Sequence, residues 1–246
     1  MEKLIEIRGL SFGYEGIPVI EDIDLDIFRK DYLLIIGPNG GGKTTLLKLI
    51  LGIMNPWGGS ITFHRNISNR LGYVPQFSSF NRNFPITVFD MVLTGCMDSK
   101  KILKKHKKKD HEKARTILDK LDLYNNRNEN LKNLSGGQIQ KSLIARALVS
   151  GPEVLLLDEP TASIDITSKT NLMDLLDELN ENTTIVVVTH DPIPFARAYG
   201  HIACINKSLY YHGKGELDKL AIEKAYGCPV ELLGHGIPHT ILKEHD

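Results

Sequence analysis

Gly37-Pro38-Asn39-Gly40-Gly41-Gly42-Lys43-Thr44 fits the pattern G-x-x-x-x-G-K-[ST] at every fixed position. The chemistry of that pattern is anion binding. Glycines let the backbone curl until several N–H groups converge on one phosphate, at the positive end of a helix. Lys43 then reaches the β- and γ-phosphates of a nucleotide, and the Thr44 hydroxyl ligates Mg2+. The backbone of residues 40–45, Thr45 included, completes the cradle.

A second chemical group stands at Val154-Leu155-Leu156-Leu157-Asp158-Glu159, an apolar run closed by two carboxylates. Asp158 fits the Mg2+-associated acid of a phosphate-loop site. Side chains alternate along a strand, so Glu159 points away from Asp158 and can address a water near the γ-phosphate as general base. Pro160 stops the strand because it has no N–H to donate. A third group, Leu134-Ser135-Gly136-Gly137-Gln138, lies about twenty residues earlier. Ser135 and Gln138 have capping-box spacing, and the two glycines bring bare N–H groups to a helix start. A capping hydroxyl can accept an N–H and still donate its own proton to a phosphate.

These groups need elements to hold them. Leu33–Ile36, Val154–Leu157 and Ile185–Val188 are strand-length apolar runs without polar alternation, as in parallel strands covered on both faces. Each is followed by breakers and then a helical pattern, which predicts an α/β layered fold. The first run leads into the phosphate loop, and a helical pattern over Thr44–Ile53 follows it. Ile23, Leu25 and Ile27 alternate with Asp22, Asp24 and Asp26, predicting a half-exposed strand of an antiparallel layer. Residues 60–63 and 71–74 read as further short strands of that flanking β portion. From about 77 to 150 the pattern is helical: a run opened by Thr87-Val88-Phe89-Asp90, a box with Asp in place of Glu, then 110–121 and 135–149.

Composition limits the function. Thirty basic residues balance thirty acidic ones, so a globally basic nucleic-acid binder is excluded and no nucleic-acid partner is expected. Three scattered cysteines, Cys96, Cys204 and Cys228, suit reduced thiols better than a disulfide framework. No apolar run reaches the roughly eighteen residues of a membrane span, and the charged start MEKLIEIRGL is no signal peptide. Any spanning part must come from a partner. Lys100–Lys109 holds seven lysines in ten residues, a solvated face or an attraction to anionic lipid.

LSGGQ, together with GPNGGGKT and LLLDEP, resembles the ATPase subunits of ABC transporters. Other markers of that family follow in order. Tyr14 in SFGYEG resembles the aromatic residue that stacks on adenine. Gln76 in YVPQ resembles the glutamine that contacts Mg2+ and the coupling interface. Ala162-Ser163-Ile164-Asp165 resembles the D-loop, and His190 in VVVTHD the switch histidine facing the γ-phosphate. The match runs over essentially residues 3–225. It implies a P-loop NTPase core, mostly parallel, with an antiparallel β subdomain and a helical subdomain. In one domain of 1–246, residues 1–76 and 151–225 would form the core, 77–150 the helical part with the signature, and 226–246 a histidine-containing tail. Lys30-Asp31-Tyr32 replaces the usual Gly-Glu pair, Ile139-Gln140-Lys141 a more usual Gln-Arg-rich segment, and Ile164 a leucine. None removes a group the chemistry needs.

By resemblance, two such subunits pair head to tail as an ATP-dependent homodimer, with each ATP between the phosphate loop of one copy and the signature helix of the other. The binding set is then Tyr14, Gly37–Thr45, Ser135, Gly136, Gly137, Gln138 and Asp165, with Ser135 and Gly137 acting on the second copy's ATP. Lys43, Gln76, Glu159 and His190 carry catalysis, and Thr44, Gln76 and Asp158 hold Mg2+. Further partners implied are an integral membrane permease and an extracytoplasmic solute-binding protein, with this subunit on the cytoplasmic face of the membrane.

Asn83–Val88, leading to Leu93-Thr94-Gly95, resembles the stretch after the Q-loop in ATPases of zinc/manganese-type importers, and so does the tail with His235, His239 and His245. Those histidines could ligate a divalent metal, although Gly236 and Pro238 disfavour a helix that would preset them. An importer or exporter of another substrate is the alternative. A soluble ABC ATPase of DNA repair or translation would carry coiled coils, zinc insertions or fused ATPase domains, and a P-loop kinase would lack LSGGQ.

Overall fold

The computed structural model describes residues 2–77, 81–82, 84–97, 106–162, 164–195, 200–213, 230–234 and 238–242. Ser163, Asn83, Cys228, His235, His245 and the first six residues of the lysine run lie outside the described residues.

The alternation seen at the start of the chain becomes a sheet with one face on a core. Strand β1 (Lys3–Tyr14) pairs antiparallel with β2 (Ile17–Phe28) on one side and β4 (Gly58–Phe63) on the other. Ile23, Leu25 and Ile27 are buried while Asp22 and Asp24 face out.

The unbroken apolar runs form a second sheet. Its order is β5 (Leu71–Val74), β6 (Val154–Asp158), β7 (Thr184–Thr189), β3 (Tyr32–Ile36), β8 (His201–Asn206), β9 (Ser208–Gly213). All neighbours run parallel except the β8–β9 hairpin. Every residue of β3, β6 and β7 is buried, as continuous apolar strands between two layers require. Residues 71–74 correct one expectation: they join this parallel sheet beside β6, not the antiparallel layer. A four-residue run carries no mark of its partner, so pairing alone decides its sheet.

Period-two alternation divides the strands between two cores. Leu34, Ile36, Leu155, Leu157, Ile185 and Val187 face helices α2 (Val88–Thr94), α3 (Lys108–Lys120), α4 (Gly136–Leu148) and α5 (Ile166–Asn180). Leu33, Ile35, Leu156, Val186 and Val188 face α1 (Lys43–Ile50) and the antiparallel sheet. Helix α1 stops short of the expected Ile53, closed by Gly52 N–H to the Leu49 carbonyl and Ile53 N–H to the Lys48 carbonyl. The Thr87 hydroxyl caps α2 by accepting from Asp90 N–H. No helix among the described residues is long and apolar enough to cross a membrane.

At the other end of the sheet, just ahead of β3, Asp31 is buried and lies 2.6 Å from His201 Nδ1. Burial pushes the Cys204 thiol up to about 12, so it stays protonated. The backbone of Val230–Gly234 and Pro238–Leu242 forms an antiparallel hairpin. Leu156, fully buried in the middle of β6, tests the core: Leu156→Ala should cost about 2–5 kcal/mol, read as a lower urea midpoint at unchanged slope.

Candidate active site

Parallel strands deliver their C-termini to one edge of the sheet, and there the separated motifs meet. The loop 37–42 leaves β3, Asp158 and Glu159 close β6, Thr189 and His190 close β7, and Gln76 follows β5. A cavity of about 380 Å3 opens at this edge. Tyr14, Val19, Asn39, Gly40, Gly41, Gly42, Lys43, Thr44, Thr45, Gln76 and Glu159 line it.

The loop's shape is set by what a side chain would hit. Gly42 caps α1 at φ 95°, and a Cβ there would stand 2.8 Å from the Val19 carbonyl. Gly37 backs onto Ile205, where a Cβ would meet the carbonyl oxygen at 1.9 Å. Gly37 and Pro38 therefore do not face the cavity. Their carbonyls instead accept from Lys43 Nζ, at 2.8 and 3.0 Å. Lys43 is buried, and burial pulls its ammonium below the usual lysine range against the opposing pull of Glu159 and Asp158. An ammonium so placed is short of water and within reach of an anion.

Thr44 Oγ1 donates to Asp158 Oδ1 at 3.0 Å. Burial raises the Asp158 carboxyl, opposed by the bonds from Thr44 and Tyr73. Tyr73, which sequence reasoning missed, donates from Oη to Asp158 Oδ2 at 3.4 Å. Its burial raises its own pKa, so it remains a donor. A buried carboxylate bonded to the Thr44 hydroxyl, with the Gln76 amide on the same cavity as Thr44, offers hard oxygen donors, the chemistry a Mg2+ ion takes.

Glu159 is held from several sides. Its backbone sits at φ 48°, an unfavourable region for a non-glycine residue, with its N–H on the Val188 carbonyl at 2.9 Å. Its Oε2 lies 2.9 Å from His190 Nδ1 and accepts from Thr189 Oγ1 at 3.1 Å and from His190 N–H at 3.4 Å. Its Oε1 is 3.9 Å from Lys43 Nζ. Thr189 is a second residue missed from sequence. Its signal was a hydroxyl ending the buried run 185–188, where an unpaired polar group would be costly.

Tyr14 ends β1, is 44% exposed, and lies at the cavity's outer wall. The signature residues are elsewhere. Ser135 caps α4 through a full capping box: Gln138 N–H donates to Ser135 Oγ at 3.3 Å, and Ser135 N–H to Gln138 Oε1 at 2.9 Å. Ser135, Gly137 and Gln138 line a different cavity of about 240 Å3, together with Ile164 and Ser168. Gly136 opens α4 and lines neither cavity. Asp165 caps α5, accepting from Ser168 N–H at 3.0 Å and Oγ at 2.6 Å, bonds that hold its carboxyl below the usual range. The start of α1 thus lies on one cavity, and the starts of α4 and α5 on the other.

Comparison with known proteins identifies the family. Residues 20–162 match the ABC transporter family. The high-affinity zinc uptake system ATP-binding protein ZnuC of Bacillus subtilis is 39% identical over 196 residues, 77% of this chain and 85% of that protein. The manganese transport system ATP-binding protein MntB of Listeria monocytogenes is 38% identical over 230 residues, 91% of this chain and 96% of that one. Among solved structures, a transporter described as of the metal-chelate type, in an inward-facing conformation, superposes with a TM-score of 0.84 at 30% identity, covering 99% of this chain and 98% of its counterpart.

Proposed function

The chain belongs to the ABC transporter family, whose ATP-binding subunits hydrolyse ATP to power transport, and on that premise we propose that it energises uptake of a divalent metal ion, zinc or manganese. The observation that carries the hydrolytic half is the convergence of Lys43, Thr44, Asp158, Glu159 and His190 at one strand edge. The metal half is supported by the names of the relatives. Reconstitution with the membrane subunit of the same system tests both: zinc or manganese should stimulate ATP hydrolysis, and stimulation by neither would refute the cargo.

In this reading residues 1–76 and 151–225 form the nucleotide-binding core and 77–150 the helical part that presents the signature. The base of ATP stacks on Tyr14. The backbone of 40–45 and the Lys43 ammonium take the β- and γ-phosphates, for which Lys43 leaves the carbonyls of Gly37 and Pro38. Thr44, Asp158 and Gln76 would hold Mg2+, which when bound neutralises charge on the phosphate oxygens. Glu159 accepts the proton of the attacking water. His190, now bonded to Glu159, turns to the γ-phosphate and leaves the carboxylate to the water.

The distance between signature and phosphate loop within one chain is supplied by a second copy. Ser135 and Gly137 of one copy close over the ATP of the other, as a head-to-tail homodimer requires. Asp165 belongs to the same interface. The dimer sits on the cytoplasmic face of the membrane against a permease, which a solute-binding protein loads from outside.

Thr189 gives an independent check. Thr189→Val keeps the shape of the side chain but removes the hydroxyl from Glu159 and from the Asp191 backbone, with which it also exchanges hydrogen bonds. We expect kcat to fall by about tenfold with KM unchanged, the size of one lost hydrogen bond to a charged group. Thr189→Ser should recover most of it, and a Val variant of normal kcat would show that Glu159 needs no such support.

A further inference from the structure

Trp57 is the chain's single tryptophan, and it is 53% exposed. Nothing in the phosphate chemistry uses it. It stands just ahead of β4, tied to β1 by its N–H on the Ser11 carbonyl at 2.8 Å. Its ring lies 5.9 Å from that of Phe12, tilted by 40°. The Phe12 ring meets that of Tyr14 edge-on, at 5.2 Å and 89°. Both separations fall in the range where aromatic pairs attract.

Gly13 makes the arrangement possible. A Cβ there would stand 2.5 Å from Trp57 Cη2 and 2.0 Å from the Ile17 carbonyl oxygen. The indole therefore rests against the β1 backbone one residue before Tyr14. The Tyr14 hydroxyl is 3.5 Å from Thr45 Oγ1 and donates to Met54 Sδ at 3.5 Å, but Oη lies on the axis about which the ring turns, so neither contact fixes the plane of the ring. Its orientation rests on aromatic packing from the Phe12 side.

We propose that Trp57 is a positioning residue for the base of ATP: through Phe12 and Gly13 it holds the Tyr14 ring in the plane on which the purine stacks. This rests on the base-stacking role of Tyr14 proposed above. The consequence is a split between the two ends of the nucleotide. Losing Trp57 loosens the grip on the base, while the phosphate cradle, built from β3 and α1, is untouched.

The full-length chain tests this with ATP and with inorganic tripolyphosphate, which has no base. Trp57→Ala should raise the KM for ATP on the order of three- to tenfold, as the loss of one aromatic pair implies. The kcat and the affinity for tripolyphosphate should stay as in the parent, and Trp57→Phe should restore the KM. Because Trp57 is the only tryptophan, its emission in the parent should respond to ATP and not to tripolyphosphate. An unchanged KM in Trp57→Ala overturns the proposal. So do equal losses for ATP and tripolyphosphate, which mark general damage, and an emission change as large with tripolyphosphate as with ATP. Tyr14→Ala separates the two levels. If it leaves the KM unchanged, the stacking role falls and the inference with it. If it raises the KM and Trp57→Ala does not, the inference alone fails.

Discussion

Glu159→Gln should bind ATP as the parent does and hydrolyse it about 10²–10⁴-fold more slowly, the usual worth of a positioned base. The substitution is nearly isosteric. It keeps the side chain on the cavity wall and its reach to the Thr189 hydroxyl, and removes only the capacity to take a proton. Asp158 cannot substitute, since it accepts from Thr44 and Tyr73 and its oxygens are committed to that side of the site. With hydrolysis blocked and binding intact, the closed dimer should accumulate, visible as a doubling of mass by light scattering when ATP is added. Single-turnover hydrolysis measures the first effect. A rate within a few-fold of the parent would remove Glu159 from the role of base.

Ser135→Arg should abolish that ATP-driven dimer in the Glu159→Gln background. Ser135 is exposed at the start of α4, and its hydroxyl caps the helix. Arginine there fills the space where a second copy's triphosphate must fit, and overpacking by a side chain that long costs about 3 kcal/mol. That is a loss of about a hundredfold in dimer affinity. Ser135→Ala is the control for the cap itself. It forfeits about 1 kcal/mol of helix stability without filling the space, so it should still dimerise. A Ser135→Arg variant that pairs as well as its parent would mean that the signature helix does not meet ATP across the interface.

Short-range order was open to reading from sequence. The apolar run before Gly37, the loop and the helix after it are contiguous, so strand, turn and helix follow from local chemistry. The cap at Thr87 and the capping box at Ser135 are likewise satisfied within one turn, although Asp90 turns its carboxylate to the Thr87 hydroxyl and leaves the first box half made. The residues that were missed all act across the chain. Tyr73 reaches Asp158 from a neighbouring strand, Thr189 reaches Glu159 from another, and Trp57 touches Phe12 across the antiparallel sheet. Tyr73 and Thr189 lie inside the segments that carry Gln76 and His190, yet their own contacts could not be read there, because hydrogen bonds and ring contacts between strands carry no fixed spacing in sequence. The same cause put residues 71–74 in the wrong sheet.

From the order of its residues alone came the chemistry of this protein: which loop holds phosphate, which carboxylates serve metal and water, which strands are buried on both faces. That information is local, written in residue type and period. What folding added is the meeting of those parts. Parallel pairing brings the ends of β3, β6 and β7 to one edge, so groups more than a hundred residues apart stand within hydrogen-bond reach, as Thr44 and Asp158 do at 3.0 Å. The folded chain also holds its signature helix start and its phosphate loop on two different cavities. Distance of that kind arises only when layers pack around a sheet, since it depends on which face each helix covers.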